Sequence, residues 1–426
     1  MPAADGPVGG DEARRLFAAM AGRTRLAVAV SGGRDSMALL RLLARWAGRR
    51  RDRPRLVALS VDHGLRPGSA AEVVQVAAWC AAIGVEHHGL VWRGVKPATR
   101  VEERAREARY RLLTGWCRAQ GVAVIALAHQ REDQAETFLM RLARSSGLDG
   151  LAAMAPRAMR DGIEIWRPLL DISRARIEAS LAAFGQDWID DPANADPAFE
   201  RVRMRAGRAA LERLGLAAPA IAAAAAKLRR AAAALDRIAD EHFAASASVD
   251  PAGYVRLDAA ALARAPEEIV LRVLARAILL VGGQSRLADA ALARTAAAVM
   301  GANSAATLGR CRISRRGAEI EVVRESRSLP RCELAPGAAL VWDRRFVVTL
   351  GRRQPAVELG ALGKRGFAAA RRLEPALEAV PAAAGWALPG GFRDGALALA
   401  PELAGDPAKA GLAVTFLGAR REPRHA

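Results

Sequence analysis

One stretch near the start of the chain constrains the fold most. Residues 27–30 are apolar, residues 31–36 (SGGRDS) are small or polar, and residues 37–40 are apolar again. Two apolar runs on either side of a glycine pair predict a strand, a tight turn and a helix. Gly32 and Gly33 allow the turn to adopt positive φ angles and to approach a ligand closely.

The same loop predicts an anion site. A helix start offers free backbone N–H groups and the positive end of the helix dipole, and Ser31 and Ser36 add hydroxyl groups beside them. Phosphate or pyrophosphate is the expected anion. The loop lacks the spaced glycine and the lysine of a Walker A sequence, and it carries Asp35 instead. This carboxylate could meet a Mg²⁺ ion bound to ATP, so we expect ATP and Mg²⁺ as ligands. The alternative is an ordinary turn.

The segments that follow predict an α/β fold. Further apolar runs, typical of buried parallel strands, alternate with segments of helical pattern, and Ser69 with Glu72 predicts a capping box at one helix start. This alternation favours a doubly wound parallel sheet. The predicted strands are 56–61, 85–91 and 122–128, and the predicted helices are 11–20, 36–46, 69–84, 101–119 and 131–144.

Ligands of such sheets bind at the carboxyl ends of the strands. This rule brings three segments to one edge of the sheet: Ser31–Ser36, Asp62–Arg66 and His129–Glu136. Their shared edge makes them the candidate site. Asp62 and His63 follow the second strand directly, and they join the loop as candidate ATP contacts.

His129, Asp133 and Glu136 have the spacing i, i+4, i+7. This spacing predicts that all three lie on one face of the first turns of a helix. The helix dipole favours carboxylates there, so Asp133 is expected to stay ionised and to hold Mg²⁺ or an ammonium group. A solvated polar face is the alternative.

Two arginine-rich segments allow more than one interpretation. Arg109, followed by Tyr110, could clamp a phosphate or could belong to a solvated helix face. A later basic cluster could follow an RNA backbone or could form salt bridges between domains. Its members are Arg201, Arg203, Arg205 and Arg208.

Composition limits the partners and the compartment. The 426 residues carry a formal net charge of +19, which favours a polyanionic partner such as RNA. The four cysteines form no C-x-x-C pair, so neither a disulfide framework nor a zinc or iron–sulfur site is indicated, and a reducing cytoplasm fits. No signal peptide and no membrane span is expected. The oligomeric state stays open, with a homodimer as one alternative.

The chain is long enough for two or three domains. Residues 221–240 and 265–280 are helical by propensity, residues 304–323 resemble a hairpin with its turn at Arg316 and Gly317, and residues 345–350 resemble a strand. We therefore expect four parts: an N-terminal tail with a short helix (1–22), a catalytic domain (23–207), a helical linker domain (208–325) and a small C-terminal domain containing β-strands (326–426).

Together these segments resemble the tRNA(Ile)-lysidine synthase family, within the N-type ATP pyrophosphatases that carry a PP-loop. The resemblance covers residues 25–210 in order, and a weaker one follows through TLGRCRISRRG and WDRRF. Ser145 and Val202 depart from the pattern, where the family often has Gly and Asn. The matching motifs are SGGRDS (31–36), VDHGLR (61–66), a stretch similar to E-x-A-R-x-x-R-Y that ends in Arg109 and Tyr110, LAHQREDQAETFL (127–139), RSSGLDGLAAM (144–154), RPLL (167–170) and DDPANADPAFERVRMR (190–205).

The resemblance implies a two-step reaction. ATP adenylates the C2 oxygen of the wobble cytidine in tRNA(Ile) with a CAU anticodon, and free L-lysine then displaces AMP. The product, lysidine, changes codon reading from AUG to AUA. The implied catalytic residues are Asp35, Asp133, Glu136, Arg109 and His129, with Asp35 and Asp133 as metal ligands. The implied ATP contacts are Ser31, Gly32, Gly33, Arg34, Asp35, Ser36, Asp62 and His63, and the implied tRNA contacts are Arg201, Arg203, Arg205 and Arg208.

Three other functions are alternatives. A tRNA cytidine thiolase of the same superfamily would be expected to carry a C-x-x-C pair. A glutamine-dependent synthetase would be expected to carry an amidotransferase segment. A non-catalytic RNA-binding protein would explain the charge, but it would not need Asp35, Asp133 and Glu136 to cluster.

Overall fold

The computed structural model describes residues 5–65, 68–94, 96, 99, 101–190, 200–284, 286–301 and 304–420. The chain divides into two compact units, Met1–Ala232 and Ala233–Ala426. Within the described ranges, no helix is both long enough and apolar enough to cross a membrane.

A six-stranded sheet forms the centre of the first unit. Its strands are Arg25–Ala29 (β1), Arg55–Asp62 (β2), Glu86–Val91 (β3), Val124–Ala126 (β4), Arg157–Arg160 (β5) and Ile163–Trp166 (β6). Their order is β3-β2-β1-β4-β6-β5, and every neighbouring pair is parallel except β5 with β6. The predicted α/β fold with a doubly wound parallel sheet is therefore confirmed. The strand order reverses between β1 and β4, which creates a binding crevice at their carboxyl ends.

Helices cover both faces of this sheet. Along β1, Leu26 and Val28 face one hydrophobic core, whereas Ala27 and Ala29 face the other. This alternation follows from the two-residue period of a strand. The helices are Gly10–Leu16 (α1), Arg34–Gly48 (α2), Ser69–Ala82 (α3), Val101–Ala119 (α4), Arg131–Leu142 (α5), Leu148–Leu151 (α6), Arg174–Phe184 (α7), Glu200–Ala206 (α8), Arg208–Arg213 (α9) and Ala218–Ser246 (α10), the last of which extends into the second unit.

The described part of the N-terminal segment is packed rather than loose. Val8 and Phe17 are buried in the core beside α2, and the backbone N–H of Val8 donates to Ser180 Oγ at 3.0 Å. Arg176 binds Glu12 through two hydrogen bonds of 2.7 and 2.6 Å. From residue 5 on, the expected tail is thus held by contacts with distant residues, which its local sequence does not reveal.

The predicted capping box at the start of α3 is wrong. Gly68, with φ +91°, occupies the N-cap position, and Ser69 lies inside the helix. The Ser69 hydroxyl instead donates to Asp62 Oδ1 at 2.5 Å, across the loop that follows β2. The Ser69 hydroxyl thus binds a carboxylate at a strand end instead of the N–H groups of its own helix, and this partner is visible only in the fold.

The second unit combines helices with three antiparallel or mixed sheets. Its strands are Ala247–Asp250 (β7), Tyr254–Asp258 (β8), Ala305–Leu308 (β9), Cys311–Arg316 (β10), Glu319–Arg324 (β11), Cys332–Leu334 (β12), Ala339–Trp342 (β13), Phe346–Leu350 (β14), Val357–Ala361 (β15), Pro389–Arg393 (β16), Ala396–Leu399 (β17), Glu402–Leu403 (β18) and Leu412–Phe416 (β19). The sheets have the orders β7-β8-β11-β10-β9, β12-β15-β16-β17 and β13-β14-β19-β18. The helices are Ala259–Ala263 (α11), Glu267–Gly282 (α12), Asp289–Met300 (α13), Gly363–Leu373 (α14) and Ala382–Gly385 (α15).

The predicted hairpin at residues 304–323 is confirmed. Strands β10 and β11 pair antiparallel from Cys311 with Arg324 to Arg316 with Glu319, and Gly317 in the turn has φ +59°. Strand β9 adds a third member to this hairpin. The domain boundaries near 207 and 325 stay predictions.

A buried ion network lies in the second unit. Arg345 Nε donates to Asp343 Oδ2 at 2.7 Å, and Arg324 reaches both oxygens of the same carboxylate at 3.1 and 3.2 Å. All three side chains are at most 4% exposed. One carboxylate therefore balances two buried guanidinium groups, and burial lowers the pKa of Arg345 to about 10 despite the Asp343 charge.

Candidate active site

The SGGRDS loop links β1 to α2 as the sequence predicts. Gly33 is the N-cap residue of α2 and no side chain caps that end, so the first backbone N–H groups of the helix are left without a side-chain acceptor. The Ser36 hydroxyl donates to Gly33 O at 2.8 Å and accepts from Ser31 N at 3.2 Å. These bonds shape a preorganised anion cradle from the loop's own residues.

Gly32 is held against a segment from much later in the chain. It has φ +84°, and a Cβ atom there would lie 2.8 Å from Ile189 Cδ1 and 2.9 Å from Val76 Cγ2. The backbone N–H of Ile189 donates to Gly32 O at 3.0 Å. Residue 32 must therefore be glycine for both conformation and space.

We expect Gly32→Ala to weaken ATP binding by about 10- to 100-fold, because the loop would have to leave its left-handed conformation and move away from Ile189. Equilibrium binding of a labelled ATP analogue would measure the loss. Gly48→Ala is the matched control, since it lies in the last turn of α2 with no atom near its added Cβ. Unchanged affinity in Gly32→Ala would contradict the proposed cradle.

Asp35 and Asp133 form the electrostatic centre of the site. Asp35 lies in the first turn of α2 and Asp133 in the first turn of α5. Burial, followed by the negative charge of Asp133, raises the pKa of Asp35 to about 6, although Arg174 and Arg34 oppose the shift. Two carboxylates from separate helices thus repel each other at the switch point of the sheet.

The residues present fit a Mg²⁺ ion that shares ligands with ATP. Asp35 Oδ1 is buried without a hydrogen-bond partner in the described structure, so it is available to a cation. Among the described residues, no group of three or more His, Cys, Asp or Glu side chains could hold a metal. Mg²⁺ commonly uses one or two carboxylates together with phosphate and water oxygens, so Asp35 and Asp133 suffice as protein ligands.

The raised pKa of Asp35 predicts a pH dependence of stability. Between about pH 4 and pH 6 the folded state binds the Asp35 proton more tightly than the unfolded state does, so stability falls as the pH rises through this window. We expect Asp35→Asn to remove this component. Urea unfolding of the wild type and the variant without ligand, at pH 5 and at pH 7, measures their free energies of unfolding. We expect the difference between the two proteins to be smaller at pH 5 than at pH 7. Equal differences at both pH values would contradict the raised pKa of Asp35.

The start of α5 is capped by its own residues. Gln130 Oε1 accepts from the backbone N–H of Glu132 at 2.6 Å, and Asp133 Oδ2 accepts from the backbone N–H of Gln130 at 3.0 Å. This capping box fixes the Asp133 carboxylate at the positive end of the helix dipole. The other carboxylate oxygen, Asp133 Oδ1, lies 3.7 Å from Arg205 Nη2.

His129 does not lie on α5, so the prediction of one helix face for His129, Asp133 and Glu136 is wrong for the histidine. The helix begins at Arg131, and His129 belongs to the extended segment after β4. Burial and nearby positive charges hold the pKa of His129 well below its ordinary value. The charges belong, in order of effect, to Arg167, Arg106, Arg201 and Arg109.

These residues form a basic cluster, defined here as Arg106, Arg109, Arg167, Arg201 and His129. Tyr110 is buried beside it, and the guanidinium of Arg106 lies 5.4 Å from its ring centre. Burial opposes ionisation of Tyr110, but the charges of Arg106 and Arg167 outweigh it and lower its pKa. These positive charges around one imidazole favour an anion, so the basic cluster is a candidate site for a phosphate.

Glu136 and Arg205 form a tight ion pair. Arg205 Nε donates to Glu136 Oε1 at 2.6 Å, and Nη2 donates to Oε2 at 3.2 Å. Glu136 is 8% exposed and Arg205 is 28% exposed. Burial alone would lower the pKa of Arg205, but Glu136, Asp133 and Asp35 together raise it. Arg205 thus forms salt bridges with carboxylates in this structure. Its assignment as a tRNA contact stays a prediction.

The other residues predicted to contact ATP or tRNA have different partners in the structure. Asp62 Oδ1 accepts from Gly64 N at 2.9 Å, and His63 Nδ1 accepts from Leu65 N at 3.1 Å, so both shape the loop after β2. Arg34 pairs with Glu178, and Arg208 pairs with Glu212 at 2.7 Å. Arg203 is exposed. Arg66 and residues 191–199 lie outside the described residues.

Several contributors could not be found from the sequence. Gln134 makes two hydrogen bonds with the backbone of Met154, at 2.7 and 2.9 Å, and thereby ties α5 to the loop after α6. Arg174 begins α7, and its backbone N–H donates to Glu132 Oε2 at 3.0 Å. Ile189 covers the glycine loop. All three residues contact partners that are distant in sequence. The sequence offers only one indication of them, which is that each lies within or near a motif of the resemblance.

Comparison with known proteins agrees with this geometry. Residues 11–208 match the model of the PP-loop domain family. The chain is 46% identical to the tRNA(Ile)-lysidine synthase of a Bradyrhizobium species, over 65% of this chain and 79% of that one. The chain belongs to the tRNA(Ile)-lysidine synthase family. It is also 39% identical to the tRNA(Ile)-lysidine synthase of Ruegeria pomeroyi, over 83% of both chains.

Solved structures show a weaker likeness. The U34-tRNA thiolase NcsA from Methanococcus maripaludis superposes with a TM-score of 0.44 and 16% identity, over 52% of this chain and 78% of that one. This similarity is too low to bear on function. The chain's membership of the lysidine synthase family, with its PP-loop domain, makes it an ATP-using enzyme of tRNA modification.

Proposed function

We propose that the chain joins free L-lysine to C2 of the wobble cytidine in tRNA(Ile) with a CAU anticodon, using ATP, and so changes codon reading from AUG to AUA. One observation carries the proposal. A phosphate cradle, an unpartnered buried carboxylate oxygen on Asp35 and a pair of further carboxylates on α5 meet at the switch point of one parallel sheet. Family membership supports the choice of substrates.

The first step needs a site that stabilises charge on phosphate. The backbone N–H groups at the start of α2 and the hydroxyls of Ser31 and Ser36 would bind the ATP phosphates, and Asp35 with Asp133 would hold Mg²⁺. When bound, Mg²⁺ would neutralise phosphate charge as pyrophosphate leaves. The cytidine O2 atom forms a bond to the α-phosphorus, and the bond from that phosphorus to pyrophosphate breaks. The basic cluster around His129 would hold the negatively charged adenylate.

The second step needs an amine beside the adenylated base. The lysine nitrogen forms a bond to C2, the bond from C2 to the adenylate oxygen breaks, and AMP leaves. The first step converts the carbonyl oxygen on C2 to a phosphate ester. This ester is the leaving group that the second step needs. The ammonium group must lose a proton before attack, and the carboxylates of Asp133 and Glu136 are the acceptors that this part of the site offers.

A cavity of about 190 Å³ in the first unit supports the choice of lysine. Carboxylates line one part of it, apolar side chains line the walls, and guanidinium groups are also present. These are the groups that suit an ammonium, an aliphatic chain and an α-carboxylate, respectively. The lining residues are Glu132, Ala135, Glu136, Leu139, Arg174, Met204, Arg205, Arg208, Leu211, Leu216, Ala218 and Ile221.

The cysteines do not support sulfur transfer. Cys80 and Cys117, the two in the first unit, are buried, and burial raises the pKa of each thiol to about 11. Sulfur chemistry needs an accessible thiolate. A cytidine thiolase is therefore the weaker candidate. The net charge of +19 suits a tRNA substrate, and we place the reaction in the cytoplasm, where tRNA and ATP are available.

The test is nucleoside analysis of tRNA(Ile) after incubation with the protein, ATP, Mg²⁺ and labelled lysine. We expect lysidine at the wobble position, with one pyrophosphate released per lysine incorporated. A tRNA with uridine at that position is the matched substrate control and is expected to stay unlabelled. Pyrophosphate release without lysine incorporation would point to another nucleophile, and absence of both would contradict the proposal.

A further inference from the structure

Arg205 lies where the proposed reaction needs a substrate amine. Its guanidinium contacts both oxygens of Glu136, lies 3.7 Å from Asp133 Oδ1 and interacts electrostatically with Asp35. Of these carboxylates, Glu136 lines the cavity of about 190 Å³, which Arg205 also lines. Arg205 thus binds the Glu136 carboxylate at the place where the proposed reaction would need a substrate ammonium.

We propose that Arg205 is an internal competitor of the lysine amine, and that it keeps the amine position filled until RNA occupies the basic cluster. The inference rests on the proposed function. Arg205 already binds both oxygens of the Glu136 carboxylate, so a lysine ammonium at the same carboxylate would find only the outer lone pairs and would meet the positive charge of the guanidinium. Arg205 and the lysine amine therefore compete for Glu136, and lysine binds more tightly when Arg205 has moved away.

The position of Arg205 on α8 connects it to the basic cluster. Arg201 and Arg205 are four residues apart on this helix, so both side chains lie on the same face. Arg201 belongs to the basic cluster around His129, whereas Arg205 contacts the carboxylates. One short helix thus connects an anion site to the proposed amine site.

This connection gives a physical reason for an ordered reaction. The basic cluster brings like charges together, so an RNA phosphate or the adenylated base would bind there and draw Arg201 toward itself. A shift of α8 in that direction would weaken the bidentate pair between Arg205 and Glu136. Lysine would then compete successfully for the carboxylates only when the RNA is in place.

Equilibrium binding of labelled lysine to the full chain, with and without unmodified tRNA(Ile) and in the absence of ATP, tests the inference. We expect Arg205→Gln to bind lysine at least about tenfold more tightly than the wild type when RNA is absent. Added tRNA should tighten lysine binding to the wild type and leave the variant nearly unchanged, because both changes remove the same competitor. Arg213→Gln, an exposed arginine on α9, is the matched control and should behave as the wild type.

Each other outcome has a definite meaning. Weaker lysine binding by Arg205→Gln in both conditions would overturn the inference, because Arg205 would then be a ligand of lysine. Wild-type affinity that does not change with tRNA would also overturn it. Lysine that binds to no variant in either condition would instead contradict the proposed function. If Arg205→Gln fails to fold, Arg205→Lys, which keeps the charge but loses the bidentate pair, should show a smaller gain in lysine affinity.

Discussion

Asp35→Asn is expected to lower the rate of pyrophosphate release by about 10²- to 10³-fold while it raises the stability of the protein. The substitution keeps the size of the side chain and removes the charge that would hold Mg²⁺. At pH 7 it also removes the repulsion with Asp133 and the cost of burying a carboxylate, which together raise the pKa of Asp35 to about 6. We expect a gain in the free energy of unfolding on the order of 1–3 kcal/mol.

Two measurements on the ligand-free and the reacting protein separate these effects. Urea unfolding at pH 7 gives the stability, and a pyrophosphate assay with tRNA and ATP gives the rate. Asp52→Asn is the matched control, since Asp52 is an exposed carboxylate in the turn between α2 and β2, outside the SGGRDS loop, and it pairs with Arg50 at 2.6 Å. A variant that loses both activity and stability would mean that Asp35 has a structural role, and full activity would remove it from the site.

The parallel sheet could be predicted because its signals are local. Apolar runs such as Leu56–Val61, followed by helical periodicity, define strand and helix within one window of sequence. The rule that ligands bind at the carboxyl ends of parallel strands then places the SGGRDS loop and Asp133 at one edge, and the interaction of Asp35 with Asp133 agrees with it. Fold class and the centre of the candidate site followed from these two steps.

The partners of each side chain could not be predicted in this way. Arg205 looked like one of several basic residues, yet 69 positions separate it from Glu136, the carboxylate it binds. The same applies to Ile189, which covers Gly32 from far along the chain. Charge and spacing give a side chain's chemistry, but only the path of the backbone decides whether an arginine meets a carboxylate or solvent.

His129 shows how a helix boundary decides an assignment. The spacing i, i+4, i+7 treats His129 as helical, but α5 begins at Arg131, where the sequence predicts its start, and Gln130 is the N-cap residue, so His129 lies before the helix. Boundaries are the least certain part of a periodicity argument, because capping depends on side-chain hydrogen bonds as well as on apolar spacing. The histidine consequently joins the basic cluster, whereas Asp133 and Glu136 stay on the helix.

In the second unit, Asp343→Asn is expected to lower the free energy of unfolding by about 3–5 kcal/mol. Asparagine keeps the size of the side chain and tolerates the left-handed conformation of this residue, φ +48°, so the turn between β13 and β14 should persist. The charge, however, is lost. Arg324 and Arg345 would then be buried beside each other without their shared carboxylate, and each guanidinium would keep its desolvation cost.

Asp394→Asn provides a matched control for this prediction. Asp394 has nearly the same backbone conformation, φ +50°, in the exposed turn between β16 and β17, so the same substitution there should change stability by no more than about 0.5 kcal/mol. Urea unfolding of the full chain, followed by circular dichroism, compares the two variants with the wild type. A loss below about 1 kcal/mol in Asp343→Asn would show that water or another acceptor replaces the carboxylate, and that the network contributes little to the stability of this unit.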